Sequence, residues 1–283
     1  MQHQVRAKKH LGQHFLNDEN IAVRITQSIH LPCESLLEVG PGTGVLTKHI
    51  LKLIDSDAER VSGEKTEDPG HNIAGSGAIK LKKFVALDVD RESVAWLKEN
   101  YPQHKDKFLE ADFLKFNPDD YFEGCFSLIG NFPYNISSQI FFKVLNHIDR
   151  IPEVVCMLQK EVAERLAAPP GGKTYGILSV LLQAWYDIEY LFTVSEHVFI
   201  PPPKVKSAVI RLRRNSSTEL GCDPVLFKAV VKTAFNQRRK TLRNGLKSYK
   251  FIAGEEIETL LTKRAEQLSV KDFVLLTNSV SLT

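Results

Sequence analysis

The stretch SLLEVGPGTGVLTKHILKLI, residues 35–54, joins a short apolar strand, a turn with alternating glycines and an amphipathic helix. Val45, Leu46, Ile50, Leu51 and Ile54 recur at helical spacing. The same strand-then-helix unit returns along the chain. FVALDV (84–89) precedes RESVAWLKENY (91–101), and KFLEAD (107–112) and CFSLIGN (125–131) read as further strands. SSQIFFKVLNHI (137–148) is helical, VVCMLQ (154–159) is a strand, and EVAERLAA (161–168) opens another helix. Strands spaced by helices of this length predict a parallel sheet covered on both faces. That is the α/β, Rossmann-like doubly wound class, whose ligands sit at the carboxyl ends of the strands.

Two segments interrupt this rhythm. Residues 55–80 are polar and rich in Gly, Ser and Asp, and read as a flexible surface insertion. RNSSTELGC (214–222) reads as a linker, after which Asp223-Pro224 supplies a cap and a first-turn proline. Ser269 and Asp272 have capping-box spacing at the last helix. The expected division is an α/β domain over 1–214 and a small all-helical domain over 215–283. With 43% hydrophobic and 25% charged residues, an unstapled core is expected. Cys33, Cys125, Cys156 and Cys222 form no CxxC pair and read as buried free thiols of a reducing compartment. The start, MQHQVRAKKHLGQHFL, lacks the apolar region of a signal peptide, and no stretch approaches the ~18 apolar residues of a membrane span. A cytoplasmic protein is expected.

Glu38, Gly40, Gly42 and Gly44 form E-x-G-x-G-x-G where the first strand meets its helix. Glycines there let a ligand approach the backbone closely. A dinucleotide fingerprint would need glycine where Val45 stands, and no phosphate-binding lysine follows, which excludes a P-loop. An adenosine-bearing ligand with a tightly packed tail, S-adenosylmethionine, fits this turn; a plain glycine turn is the alternative. Asp88 ends the second strand, where a carboxylate can accept from ribose hydroxyls. Asp112 ends the third, where one could accept from the adenine amino group.

The fourth strand stops at Asn131-Phe132-Pro133-Tyr134 and faces the same crevice. An exocyclic adenine amine is a weak nucleophile because its lone pair is delocalised into the ring. Two acceptors, the Asn131 side-chain oxygen and the Pro133 carbonyl, would hold its hydrogens and favour a pyramidal nitrogen. Positioning and electrostatics then suffice without a metal or strong base. Tyr134 would stack on a base that has left its helix or loop. The alternative is an ordinary strand-to-helix turn with a buried aromatic.

Along nearly its whole length the chain resembles the small-subunit rRNA adenine N6-dimethyltransferases, the KsgA-type family. The resemblance is carried by Gly12-Gln13-His14-Phe15-Leu16, the glycine motif, Asp112, and Asn131-Phe132-Pro133-Tyr134-Asn135-Ile136-Ser137. Leu158-Gln159-Lys160-Glu161-Val162, Tyr175-Gly176, Phe199-Ile200-Pro201-Pro202-Pro203-Lys204-Val205 and the block Ala234 to Asn244 match as well. The resemblance implies S-adenosylmethionine-dependent dimethylation of two adjacent adenosines in a hairpin near the 3′ end of small-subunit rRNA, during ribosome assembly. His14 and Leu16 would then line the cofactor site with Gly40, Asp88, Asp112 and Asn131. Phe199 would cover the target base opposite Tyr134. His14 stands where the family commonly has Asn, and Asp88 where it has Glu; the insertion also lengthens the spacing from Glu38 to Asp88.

Residues 232–247 concentrate cations around a few apolar anchors, and Arg239, Arg243 and Lys247 would share one face if the stretch were helical. Such a face suits a phosphate backbone, although a charge run can also be a solvated surface. Arg238, Lys240 and Lys204, with Lys8 and Lys9 in the N-terminal arm, complete the expected RNA contacts. His10 and His14 have zinc-like spacing, but Gly12 lies between them and no third ligand is evident, so no metal is expected. The expected partner is the immature small ribosomal subunit, met by a monomer. A non-catalytic RNA-binding assembly factor, or an adenine methyltransferase acting on large-subunit rRNA or DNA, is the competing function.

Overall fold

A computed structural model describes residues 5–62 and 81–281. In chain order it contains β1 (Phe15–Leu16), α1 (Glu19–Gln27), β2 (Ser35–Val39), α2 (Thr47–Ser62), β3 (Lys83–Asp88) and α3 (Arg91–Asn100). There follow β4 (Phe108–Glu110), β5 (Ser127–Asn131), α4 (Ser137–Leu145), β6 (Glu153–Gln159), α5 (Lys160–Ala167) and α6 (Ile177–Gln183). The chain continues through β7 (Tyr186–Val194), β8 (Phe199–Ile200), β9 (Ser207–Arg214), α7 (Pro224–Asn236), α8 (Leu242–Gly245), α9 (Glu255–Thr262) and α10 (Val270–Asn278).

Seven strands form one sheet in the order β4-β3-β2-β5-β6-β9-β7. The ladders from β4 through β6 are all parallel, as the alternation of strands and helices requires. The order reverses between β2 and β5, so their carboxyl ends flank the switch point where doubly wound sheets bind ligands. Leu36, Leu37 and Val39 of β2 are all buried, as expected of a strand covered on both faces. Ile50 of α2, Leu97 of α3 and Ile25 of α1 pack into the same core as Phe84, Phe108, Ile129 and Met157.

Two pairings carry no local signature. β9 runs antiparallel to β6, with Met157 opposite Val209, and extends the parallel sheet. β1 pairs antiparallel with β8, Phe15 opposite Ile200, which folds the N-terminal arm onto the segment carrying Phe199.

The chain divides into two compact units, Met1–Lys160 with Tyr190–Arg213, and Glu161–Glu189 with Arg214–Thr283. Contacts thus group α6 and nearly all of α5 with the C-terminal helices, although they precede residue 214. Within the second unit Phe235 packs edge-on against Tyr175 and stacks on Phe273. The Asp223 carboxylate accepts from the Leu226 amide, with Pro224 in the first turn. Ser269 and Asp272 cap α10 reciprocally. Both caps follow the sequence expectation.

Other expectations change. The first part of the insertion expected over residues 55–80 is helical instead, because α2 runs on to Ser62; residues 63–80 lie outside the described residues. Cys33 and Cys156 are buried, but Cys125 is exposed because it lies on the loop before β5. No helix among the described residues is long and apolar enough to cross a membrane.

Candidate active site

Where β2 ends, Gly40 and Gly42 take positive φ of 72° and 54°. The space beside Gly42 is already filled: an added Cβ would meet the Phe15 ring at 2.8 Å. A Cβ on Gly40 would stand 3.4 Å from the Asn131 carbonyl, so the two strand ends lie back to back. A Cβ on Gly44 would press on Leu97 at 2.8 Å, which makes that glycine a helix-packing position.

Leu11 to Phe15, Gly40, Gly42, Asp88, Val89 and Asn131 to Tyr134 line one open cleft. Of the residues expected at the cofactor or the target base, it collects His14, Gly40, Gly42, Asp88, Asn131, Pro133 and Tyr134.

Asp88 is held by the backbone. Its Oδ2 accepts from the Gly42 amide at 3.2 Å and its Oδ1 from the Asp90 amide at 2.9 Å. Burial raises its carboxyl above the ordinary value, and these amides pull it back down.

Asn131 Nδ2 donates to the His14 carbonyl at 3.0 Å. Its Oδ1 accepts from no group among the described residues. The Pro133 carbonyl accepts from the Ile136 amide at 3.2 Å and keeps its second lone pair. The Tyr134 hydroxyl bonds to Ser207 Oγ at 2.5 Å, and burial raises its phenol above the ordinary value. The His14 ring stacks on Tyr134 with centroids 5.5 Å apart, and its Nδ1 lies 2.8 Å from the Pro201 carbonyl. Because a carbonyl can only accept, that nitrogen carries the proton.

Five expected residues do not border the cleft. Leu16 and Phe199 are buried opposite each other in the β1–β8 pair. Gly44 backs onto α3, and Asp112 caps its own turn by accepting from the Leu114 amide at 2.9 Å. Glu38 is fully buried behind the glycine turn, accepting from Thr47 Oγ1 at 2.8 Å. Burial pushes its carboxyl up to about 8; the Thr47 bond opposes this and the Asp88 charge adds to it.

Leu11 and Val89 also line the cleft, as do Gln13 and Phe15 of the arm motif, for which the sequence suggests no role at the site. Val89 is 47% exposed, and its signal was an apolar residue placed directly after a strand-end acid.

The expected cationic helix face is not formed. α7 ends at Asn236, residues 237–240 turn, and α8 covers only Leu242–Gly245. The chain bends where Leu242 and Leu246 are buried and the half-exposed Arg238 guanidinium donates to the Gly172 and Lys173 carbonyls. Arg243 pairs with Glu258. Arg239, Lys240, Lys247 and Lys204 are exposed. Lys8 is engaged by Asp90 and Glu92, whereas Lys9 is exposed.

The ribosomal RNA adenine dimethylase family profile matches residues 4–62 and 77–281, passing over most of the polar insertion. A Bacteroides thetaiotaomicron protein named ribosomal RNA small subunit methyltransferase A is 53% identical over 282 residues, 98% of this chain and 94% of that one. Its namesake from Cytophaga hutchinsonii is 52% identical over 279 residues, 98% of each chain. The crystal structure of a dimethyladenosine transferase from Plasmodium falciparum shares the fold, with a TM-score of 0.70 at 22% identity, over 94% of this chain and 99% of that one. Matched from its arm to its last helix, and half identical to such relatives over nearly its full length, the chain belongs to the ribosomal RNA adenine dimethylase family.

Proposed function

We propose that this protein, acting as a cytoplasmic monomer, dimethylates N6 of two adjacent adenosines in the 3′-terminal hairpin of small-subunit rRNA during ribosome assembly, using S-adenosylmethionine. The observation that carries the chemistry is the division of labour at Asn131. Its amide nitrogen is spent on the His14 carbonyl, which fixes the rotamer and leaves Oδ1 as an acceptor at the cleft.

The cleft suits the cofactor. Its glycine turn brings backbone to the wall without side chains, Asp88 offers a buried carboxylate for ribose hydroxyls, and Val89 offers an apolar surface for adenine. When bound, S-adenosylmethionine supplies an electrophilic methyl group on a sulfonium. Asn131 Oδ1 and the Pro133 carbonyl hold the hydrogens of the target amine, so that its lone pair points away from the ring. Tyr134, anchored through Ser207, presents a fixed face for stacking the base. Its phenol stays neutral at working pH. The names of the relatives at 52–53% identity support the small subunit as target over large-subunit rRNA or DNA.

Exposed Arg239, Lys240 and Lys247 suit contact with phosphates from the second unit. The proposed roles remain methyl transfer for residues 1–214 and RNA binding for the helical segment 215–283, with α6 and nearly all of α5 grouped by contacts with the latter. The deciding experiment is transfer of labelled methyl from S-adenosylmethionine to immature small subunits, followed by mapping of the modified nucleotides. Label on N6 of two neighbouring adenosines is expected. Binding without incorporation would leave a non-catalytic assembly role, and label elsewhere would change the target.

A further inference from the structure

The N-terminal arm is tied across the cleft by one carboxylate. Asp90 side-chain atoms are fully buried, and they meet two residues of the arm. Oδ1 accepts from Lys8 Nζ at 2.5 Å and Oδ2 from Gln13 Nε2 at 3.1 Å. Gln13 closes the loop on itself, since its Oε1 accepts from the Lys8 amide at 2.7 Å. Between these residues the chain makes a tight turn over Lys9–Leu11, ended by Gly12 at a φ of 65°. From the end of that turn, Leu11 to Phe15 form one wall of the cleft.

The opposite wall begins at the same carboxylate. The Asp90 amide donates to Asp88 Oδ1, and Val89 between them borders the cleft. The segment that presents the ribose-binding acid therefore also grips the arm. Asp90 additionally caps α3, accepting from the Glu92 amide at 3.0 Å and from Ser93 Oγ at 3.2 Å. Its carboxylate is thus held from the helix side and has little freedom to follow the arm.

We propose that Asp90 is a positioning residue that latches the N-terminal arm over the cofactor cleft through Lys8 and Gln13. The proposal rests on the reading that this cleft takes S-adenosylmethionine. Lys8 is the mobile half of the latch: its side chain is 28% exposed, and it reaches a second acid, Glu92, at 3.2 Å. Charge complementarity runs in the same direction. The Asp90 bond raises the Lys8 ammonium above its ordinary value. Burial works against the Asp90 carboxylate, yet the Lys8 and Gln13 bonds hold it below its own ordinary value. Closing the latch sets Gln13 and His14 against the site. The His14 carbonyl is then in place to receive the Asn131 amide. Releasing it would loosen one wall of the cleft and free the rotamer of Asn131.

The test uses the full chain with Lys8→Met, Asp90→Asn and the double variant, read by S-adenosylmethionine titration calorimetry and by hydrogen exchange without cofactor. Asparagine can still cap α3. The Lys8 side chain bonds Asp90 and Glu92, whereas its bonds to Leu11 and Gln13 are made by its backbone and survive substitution, so Lys8→Met keeps the test open if Asp90→Asn unfolds. Each single variant should raise the cofactor Kd about tenfold, the loss expected for one charge-assisted bond. The double variant should be no worse than either single one. Without cofactor, the Leu11 and Gly12 amides, which donate to the Lys8 and Lys9 carbonyls, should exchange faster in every variant. Unchanged exchange overturns the latch, whether or not affinity falls. Wild-type protein that binds no S-adenosylmethionine would overturn the cofactor reading instead, and the exchange rates would still decide the latch.

Discussion

Asn131 and His14 lie 117 positions apart in the chain, yet the side-chain amide of the first donates to the backbone carbonyl of the second across 3.0 Å. A strand-end asparagine of β5 is thereby oriented by the N-terminal arm. One face of its carboxamide is structural, and the other is left for chemistry.

Replacing Asn131 by alanine should slow methyl transfer about a hundredfold or more, the order of loss for one preorganised polar partner. Asn131→Asp should fail as well, because a carboxylate cannot donate to the His14 carbonyl. Cofactor affinity should fall far less than rate in both. Single-turnover transfer and equilibrium titration measure the two separately, and a near-normal rate for Asn131→Ala would sink the lone-pair mechanism.

Tyr134 separates stacking from its hydroxyl. The phenol only anchors the ring to Ser207, so Tyr134→Phe should keep transfer within about threefold, and Ser207→Ala should behave alike. Tyr134→Ala removes the face on which a base stacks and should cost about 1–3 kcal/mol in RNA binding or transfer. Equal losses for Phe and Ala would assign the phenol a chemical part.

The cations of the second unit divide by what holds them. Arg239→Ala and Lys247→Ala should each weaken RNA binding and lower its salt slope by about one, because both are exposed. Arg238→Ala should chiefly lower the thermal midpoint, since its guanidinium bonds the Gly172 and Lys173 carbonyls. Filter binding across a salt series and thermal melts distinguish the two. A slope unchanged by Arg239→Ala would remove that residue from the interface.

Glu38 makes stability depend on pH. Burial lifts its carboxyl from an ordinary 4.5 to about 8 in the folded protein. Between those values the folded chain keeps a proton that the unfolded chain has lost. Stability should therefore be highest near the lower value, fall as pH rises toward 8, and level off above it. The loss is on the order of a few kcal/mol. Glu38→Gln keeps an acceptor for Thr47 and should flatten this slope. Denaturant titrations at several pH values give the comparison; an unaltered slope would place the proton elsewhere.

Much of the first unit was legible locally. The two periodicities of strand and helix, the glycine turn after β2 and the tetrad at the end of β5 are short-range patterns, and the parallel ladders follow from them. So do the caps at Asp223 and Ser269, where one side chain bonds an amide three residues away. Chemistry that depends on being at a strand end could be read for Asp88 and Asn131, because the end of a strand is itself a local signal.

What local pattern could not decide were partners distant in sequence. Pairing of Phe15 with Ile200, which brings the arm to the site, has no periodic signature at either end. The inward turn of Glu38 depends on what covers β2, and the fate of the basic run depends on the burial of Leu242 and Leu246. Arg238 looked like its neighbours in sequence but is committed to carbonyls some sixty residues earlier. Sequence by itself determined which elements form and where their ends present chemistry, since propensity and periodicity act over a few residues. Only the tertiary structure decided which charges are engaged, which acid is buried and which strand closes the site, because each of those outcomes is a contact between distant segments.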